Sequence, residues 1–269
     1  MSAPVITFLS DYGLDDVFVG ICHGVIARIC PEARVLDITH GIARHDVRGG
    51  ALALRAALRY MPAGVHLAIV DPDVGAERRA VAVRTADDRL MVGPDNGLLW
   101  LAAVEAGGIV EAVDIAGSPW RLEPVSATFH GRDVFAPVAA WLADGASLDR
   151  AGKPLDPAEL VRLELPSPRH DDGALLVDAI HIDRFGNVQL NASHEQLVEL
   201  SLGLGAPVEL EFNGGSRPAQ YVRTFADVDA DALLLYEDAE GTLAIAVSRG
   251  NAAERFGVTV GEQLRIRPA

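Results

Sequence analysis

Apolar residues in the first half of the chain fall into short blocks separated by polar loops. Val65-His66-Leu67-Ala68-Ile69-Val70 is a nearly unbroken apolar run, and Ala80-Val81-Ala82-Val83 is another. Between them lies the loop V-D-P-D-V-G-A-E-R-R, from Val70 to Arg79. Apolar runs of this length, bounded by turn residues, read as buried strands. Val5 to Leu9, Arg34 to Thr39, the stretch near Leu90 and Ile109 to Ile115 share the pattern. Helical spacing predicts a helix from about Val17 to Cys30, capped by Asp15 or Asp16 and stopped by Pro31. Further helices are predicted from Asp46 as cap to about Tyr60, from Leu98 to Glu105 and from about Val134 to Leu142. Strands alternating with helices predict an α/β domain, residues 1–150, with a largely parallel sheet covered on both faces.

The pattern changes near residue 147. Ser147 to Asp172 carries four prolines and little periodicity, so 151–172 reads as a linker. Beyond it, residues 173–269 give short strands: Gly173–Asp183, Val188–Ala192, Val208–Phe212, Gln220–Thr224, Ala232–Tyr236, Leu243–Ser248 and Gln263–Arg267. One helical piece, Ser193 to Leu200, interrupts them. Such a series predicts a small β-barrel or sandwich.

With 269 residues and 49% hydrophobic content, the chain can bury two ordinary cores. Its net charge of −15 makes nucleic acid and anionic membranes poor partners, while a cationic or zwitterionic ligand is not repelled. The two cysteines, Cys22 and Cys30, lie about 12 Å apart along the predicted helix. That exceeds the roughly 7 Å a disulfide allows, so reduced core thiols and a cytoplasmic location are expected. The start of the chain has no basic region and enters a strand directly, so no signal peptide or membrane span is predicted.

Five loops are dense in polar residues: S-D-Y-G-L-D-D (10–16), V-D-P-D-V-G (70–75), G-P-D-N-G (93–97), T-F-H-G-R-D (128–133) and I-D-R-F-G-N (182–187). The first four follow predicted strands, and a parallel sheet brings such ends to one edge. Asp11, Asp71, Asp95 and His130 can therefore converge. Each also has a structural reading. Asp11 ahead of Gly13 starts a turn, Asp15 caps a helix, Asn96-Gly97 makes a tight turn, His130 is a surface residue, and Asp183 and Asn187 flank a hairpin turn. No His and Asp spacing matches a metal signature, so metal binding by Asp11, Asp71, Asp73 and His130 has no motif behind it. Glycine-rich phosphate loops are missing.

Taken in order, these loops resemble the S-adenosylmethionine hydrolase (hydroxide adenosyltransferase) family, relatives of fluorinase and chlorinase. The likeness runs through S-D-Y-G-L-D-D-V-F-V-G, D-I-T-H-G-I-A-R-H-D-V-R-G-G-A, V-D-P-D-V-G-A-E-R-R, G-P-D-N-G, F-H-G-R-D-V-F-A-P, D-R-F-G-N and S-R-G-N-A-A-E. It implies an N-terminal α/β domain, a C-terminal β-barrel, no cofactor, and a homotrimer with the substrate between neighbouring subunits. The implied reaction is S-adenosylmethionine plus water to adenosine plus methionine. The family's Asp-Arg-His triad falls on Asp71, Arg78 and His130. The halogenases have Tyr at the places of Asp71 and His130, and fluorinase has Ser in place of Gly131. Asp11 matches the ribose-binding aspartate, Asp183 and Asn187 match residues holding the amino-acid part and nearby groups, and Val247 and Ala252 lie where backbone meets adenine. Asp73, His45 and Ala239 depart from the family pattern.

The chemistry suits these residue types. A sulfonium leaves as a neutral thioether and needs no acid, whereas water is a weak nucleophile and must be held in line and stripped of bulk solvent. Arg78 stays charged and can orient Asp71. His130 is a natural proton acceptor or relay, with Asp71 as the alternative base. Two other readings compete: a module that binds adenosine or S-adenosylmethionine without turnover, and a metal-dependent phosphoesterase.

Overall fold

The computed structural model describes residues 3–269, which divide into two compact units meeting in sequence at Leu163 and Glu164. The first begins with β1 (Val5–Ser10), α1 (Phe18–Ile29), β2 (Arg34–Thr39), α2 (Val47–Leu58) and β3 (Val65–Ile69). It continues with β4 (Ala80–Thr85), β5 (Leu90–Pro94), α3 (Trp100–Glu105), β6 (Ile109–Asp114), α4 (Ala136–Ala143) and β7 (Lys153–Leu155). The sheet order is β2-β1-β3-β5-β4-β6-β7. Pairings through β2, β1, β3 and β5 are parallel, and those of β4 with β5, β4 with β6 and β6 with β7 are antiparallel. Five strands therefore run one way, and only β4 and β7 run the other.

Alternation along the strands feeds two cores. Ile6, Phe8, Leu67 and Ile69 face α1 and α4, against Cys22, Ile26, Phe135 and Val138. Leu9, Ala68 and Val70 face the other helix layer, against Leu54, Leu98 and Ala102. Asp46 caps α2 by accepting from Gly49 N–H at 2.8 Å. The caps predicted for α1 do not form: the cap position is Val17, it makes no side-chain bond, and Asp15 and Asp16 lie exposed in the preceding bends. The stretch read as a linker is partly ordered structure, because β7 adds a strand beside β6.

The second unit holds β8 (Arg169–Asp171), β9 (Ala174–Ile182), β10 (Val188–Leu190), α5 (His194–Glu199) and β11 (Pro207–Phe212). It ends with β12 (Gly215–Tyr221), β13 (Leu233–Glu237), β14 (Leu243–Val247), α6 (Ala252–Phe256) and β15 (Gln263–Pro268). Seven strands in the order β10-β14-β13-β12-β11-β15-β9 close into a barrel through the β9–β10 pairing, with β8 outside. Leu175, Val177, Leu210, Ile245 and Leu264 fill it. β12 starts earlier than its apolar pattern predicts. Its polar first half, Pro218 included, is held by β11, while β13 joins only at Gln220 and Tyr221. Pro218 thus sits where no second strand asks for an N–H.

Candidate active site

The register of β1 on β3 pairs Ser10 with Ile69, so the residues after each strand leave the sheet side by side. Asp11 N–H donates to the Ile69 carbonyl at 3.3 Å and fastens the two exits. Asn96 Nδ2 donates to the Val70 carbonyl at 2.8 Å, holding the start of the Asp71 loop to the end of β5. That loop crosses from β3 to β4 and packs on the chain before α4. Gly75 has φ +82°, and a Cβ there would lie 2.5 Å from the Ala127 carbonyl oxygen. Residues Gly131–Phe135 form a π-turn that runs into α4, with His130 at its start. Such turns widen a helix locally and recur at functional sites. Asp133, buried, grips Arg132 through two bonds of 2.6 and 2.8 Å and accepts from Ser126 N–H at 2.8 Å. Burial alone would raise its pKa, but Arg132 and Ser126 outweigh it and hold the carboxyl below the usual range.

Asp71, Arg78 and His130 meet. Arg78 Nε donates to Asp71 Oδ1 at 2.8 Å, and Arg78 Nη2 donates to Asp71 Oδ2. The same Nη2 lies 2.9 Å from His130 Nδ1. The Arg78 and Asp71 side chains are only 8% and 7% exposed, and the guanidinium sits 5.2 Å from the centre of the Phe135 ring. A guanidinium can only donate, so Nδ1 of His130 accepts and, in the neutral ring, Nε2 carries the proton. Burial and the adjacent Arg78 charge lower the His130 pKa, which keeps the ring neutral at pH 7. The triad is therefore a charge-balanced group.

This group borders a cavity of about 140 Å³, whose wall includes Asp11, Tyr12, Phe18, Asp71, Phe129 and His130. Asp11 Oδ2 accepts from His45 N–H at 3.0 Å, and His45 itself sits at φ +66°. Tyr12 was not singled out by sequence, because a tyrosine in S-D-Y-G matches no chemical pattern. Its hydroxyl occupies the space beside Gly131, where a Cβ would lie 2.1 Å away. Burial, together with the nearby Cys22, Asp11 and Asp71, raises its pKa well above the usual value, so it remains a neutral phenol. Tyr12, Phe18 and Phe129 form an aromatic cluster with ring centres 5.1–6.0 Å apart. Asp95 stands apart from this group and pairs with Arg79 at 2.7 Å. Asp73 and Ala239 are exposed on turns.

The remaining predicted residues lie in the second unit. Asp183 Oδ1 accepts from the N–H groups of Phe185 and Asn187 at 2.8 and 2.9 Å, and its Oδ2 accepts from Asn187 Nδ2 at 2.8 Å. Asp183 is thus largely spent on its own turn, and Asn187 retains its side-chain oxygen. Val247 is buried at the end of β14 and its carbonyl accepts from Gly250 N–H at 2.9 Å. Ala252 opens α6, and Ala253 N–H donates to the Gly186 carbonyl at 3.0 Å, which ties the Asp183 turn to this helix.

Comparison with known proteins agrees with this two-unit layout. Residues 6–152 match the family described as SAM hydroxide adenosyltransferase N-terminal domain, and residues 177–265 match the corresponding C-terminal domain. The chain is 48% identical, over 98% of its length and 97% of the relative's, to a protein of Salinispora tropica named (R)-S-adenosyl-L-methionine hydrolase. It is 37% identical to one of the same name from Thermus thermophilus, covering 96% of this chain and 98% of that one. It is 28% identical to a fluorinase of Nocardia brasiliensis, covering 98% and 97%. An uncharacterized conserved protein from Thermotoga maritima superposes with a TM-score of 0.90 at 36% identity, covering 97% of this chain and 99% of that one.

Proposed function

The chain belongs to the SAM hydroxide adenosyltransferase family, and from that premise we propose that it hydrolyses S-adenosyl-L-methionine to adenosine and L-methionine. The sulfonium epimer taken is R, the one its relatives are named for. The observation that carries the reading is the Asp71–Arg78–His130 group at the wall of the cavity. A water oxygen attacks C5′ of the ribose, the C5′–S bond breaks, methionine leaves as a thioether, and one water proton is lost. The hydrogen bonds divide the labour. Each Asp71 oxygen has a lone pair left after Arg78 and can accept a water proton. His130 Nε2–H donates to the water oxygen and steadies it as it becomes hydroxide. Asp71 is therefore the acceptor, and His130 is the positioning donor. Asp11 accepts from the ribose hydroxyls.

We further propose that the chain acts as a homotrimer in the cytoplasm, with Asp183, Asn187, Val247 and Ala252 of a neighbouring copy completing the substrate site. A cavity of about 140 Å³ is smaller than the roughly 300–1,000 Å³ of pockets that enclose a drug-sized ligand. Phe18, in its wall, and Leu14 and Val17, just before it in the chain, are exposed apolar residues that such a neighbour would cover. Mixing an Asp71→Asn chain with an Asn187→Ala chain tests this: partial recovery of activity supports shared sites, and no recovery contradicts them.

The function is tested by incubating the purified protein with S-adenosyl-L-methionine in 18O-labelled water. Equal amounts of adenosine and methionine, with the label in the adenosine 5′-hydroxyl, are expected, and chloride or fluoride should leave the products unchanged. Unaltered substrate would leave a binding module, and release of phosphate from a phosphoester only when a divalent metal is supplied would favour a metal-dependent phosphoesterase.

A further inference from the structure

Away from the cavity, three potential metal ligands from separate elements converge: His23 in α1, Asp37 in β2 and His40 just after it. Their ligand atoms all lie within 4.8 Å of one another. His23 Nε2 is 2.9 Å from Asp37 Oδ1, and His40 Nε2 is 3.1 Å from the same oxygen. Ligands held at about 2.0–2.2 Å in a tetrahedral zinc site lie roughly 3.3–3.6 Å from each other, so the two Asp37 contacts would open by a few tenths of an ångström and the His23–His40 separation, at most 4.8 Å, would settle into the same range.

His40 adds an independent observation. Its side chain is 2% exposed, and Nε2 makes no hydrogen bond among the described residues. The Asp37 oxygen is near enough, so direction is what fails. A buried imidazole nitrogen without a partner is costly. The ring is fixed from behind: Nδ1 is 2.7 Å from Ser10 Oγ, and Phe8 packs edge-on with its centre 4.6 Å away. With Nδ1–H donating to Ser10, Nε2 is left unprotonated 3.1 Å from the Asp37 oxygen, and a hydrogen-bonded second nitrogen is the support that metal-bound histidines usually have. His23 also packs on Phe8, at 6.0 Å between ring centres. His23 and Asp37 are partly exposed, which leaves an approach from solvent.

We propose that His23, Asp37 and His40 form a three-ligand site for a late first-row divalent cation, zinc foremost, with the remaining position open to water. Two imidazoles and one carboxylate suit such ions better than calcium or magnesium, which favour oxygen. The bound ion would tie α1 to the end of β2. Through Ser10, whose Oγ also accepts from Tyr12 N–H at 3.3 Å, it would brace the turn that carries Asp11.

The test uses full-length, tag-free protein stripped with a chelator and titrated calorimetrically with zinc chloride. One ion per chain is expected, with the melting temperature raised by about 5 °C or more at a hundredfold excess over Kd. Cobalt(II) should give the visible absorption of a four-coordinate site. His23→Gln and Asp37→Asn change exposed side chains and should fold; each should weaken zinc binding at least tenfold and remove the thermal shift. No stoichiometric uptake, or uptake unaltered in both variants, would overturn the proposal.

Discussion

Arg78 and Arg79 are neighbours in sequence, and each grips an aspartate that follows a strand, yet the two pairs differ in what else they touch. Asp95 is consumed by structure. Its Oδ2 takes Arg79 Nε at 2.7 Å, its Oδ1 accepts from Val161 N–H at 2.8 Å, and its own N–H donates to the Arg79 carbonyl at 3.0 Å. Arg79 also donates to the Glu159 carbonyl. The result fastens the 159–161 segment to the ends of β4 and β5. Asp71 is held as firmly, but its partner also meets a titratable ring, and the group borders a cavity. A carboxylate closed off by backbone is a fastener. One held by a guanidinium beside open space keeps lone pairs for a water molecule.

Exchanging the two arginines separately should break the symmetry most sharply. Arg78→Lys keeps the charge but loses the fork that spans Asp71 and His130. Turnover should fall about a thousandfold or more, by analogy with the loss of a preorganised donor. Arg79→Lys should leave turnover within about tenfold and instead lower stability by about 1–3 kcal/mol, read by urea denaturation. Equal kinetic losses in both would erase the distinction.

His130→Ala should reduce turnover by about 10²–10⁴-fold, the range for a positioned proton-handling group, with adenosine binding retained in calorimetry. Acid should act at the same point. Because the folded state holds the His130 pKa below its ordinary value of about 6.5, the unfolded chain binds more protons in the interval beneath it. Stability therefore falls as pH drops through 6.5 toward the native value. Protonation also sets an N–H on Nδ1 against Arg78. Activity should be flat above pH 6.5 and decline below it, and a decline starting above 6.5 would contradict the assigned tautomer.

A smaller effect is expected from Asp11→Ala: adenosine affinity lower by about 10–100-fold, the value of charge-assisted hydrogen bonds, with the triad undisturbed. Gly131→Ser should lower the melting temperature as well as adenosine affinity in calorimetry, because its Cβ would lie 2.1 Å from the Tyr12 hydroxyl. The new side chain meets the Tyr12 hydroxyl, so Tyr12→Phe should partly relieve it.

Much of this was legible in the chain because strand ends are marked by both composition and period. Asp71 and Arg78 share one loop, so their proximity needed only a turn, while His130 required the sheet to bring a distant loop to the same edge. The alternation of strands and helices anticipates that edge. Composition and spacing alone do not separate Arg79 and Asp95 from the triad; the family resemblance does, and the crossing of β3 to β4 is what turns Arg78 inward. Tyr12 was hidden because its role is to fill space beside Gly131. β7 and β8 lay in a proline-rich stretch, where pairing with a neighbouring strand overrides weak local preference. His23, Asp37 and His40 match no spacing rule; a helix and a strand end must pack before their ring and carboxylate atoms meet.

The central claim is that the Asp71 carboxylate, held by Arg78, accepts a proton from the attacking water. Turnover of Asp71→Asn tests it most directly, since the amide keeps the shape and loses the charge. Turnover should fall at least about a thousandfold with adenosine affinity unchanged. Turnover within about tenfold of the parent enzyme would contradict it.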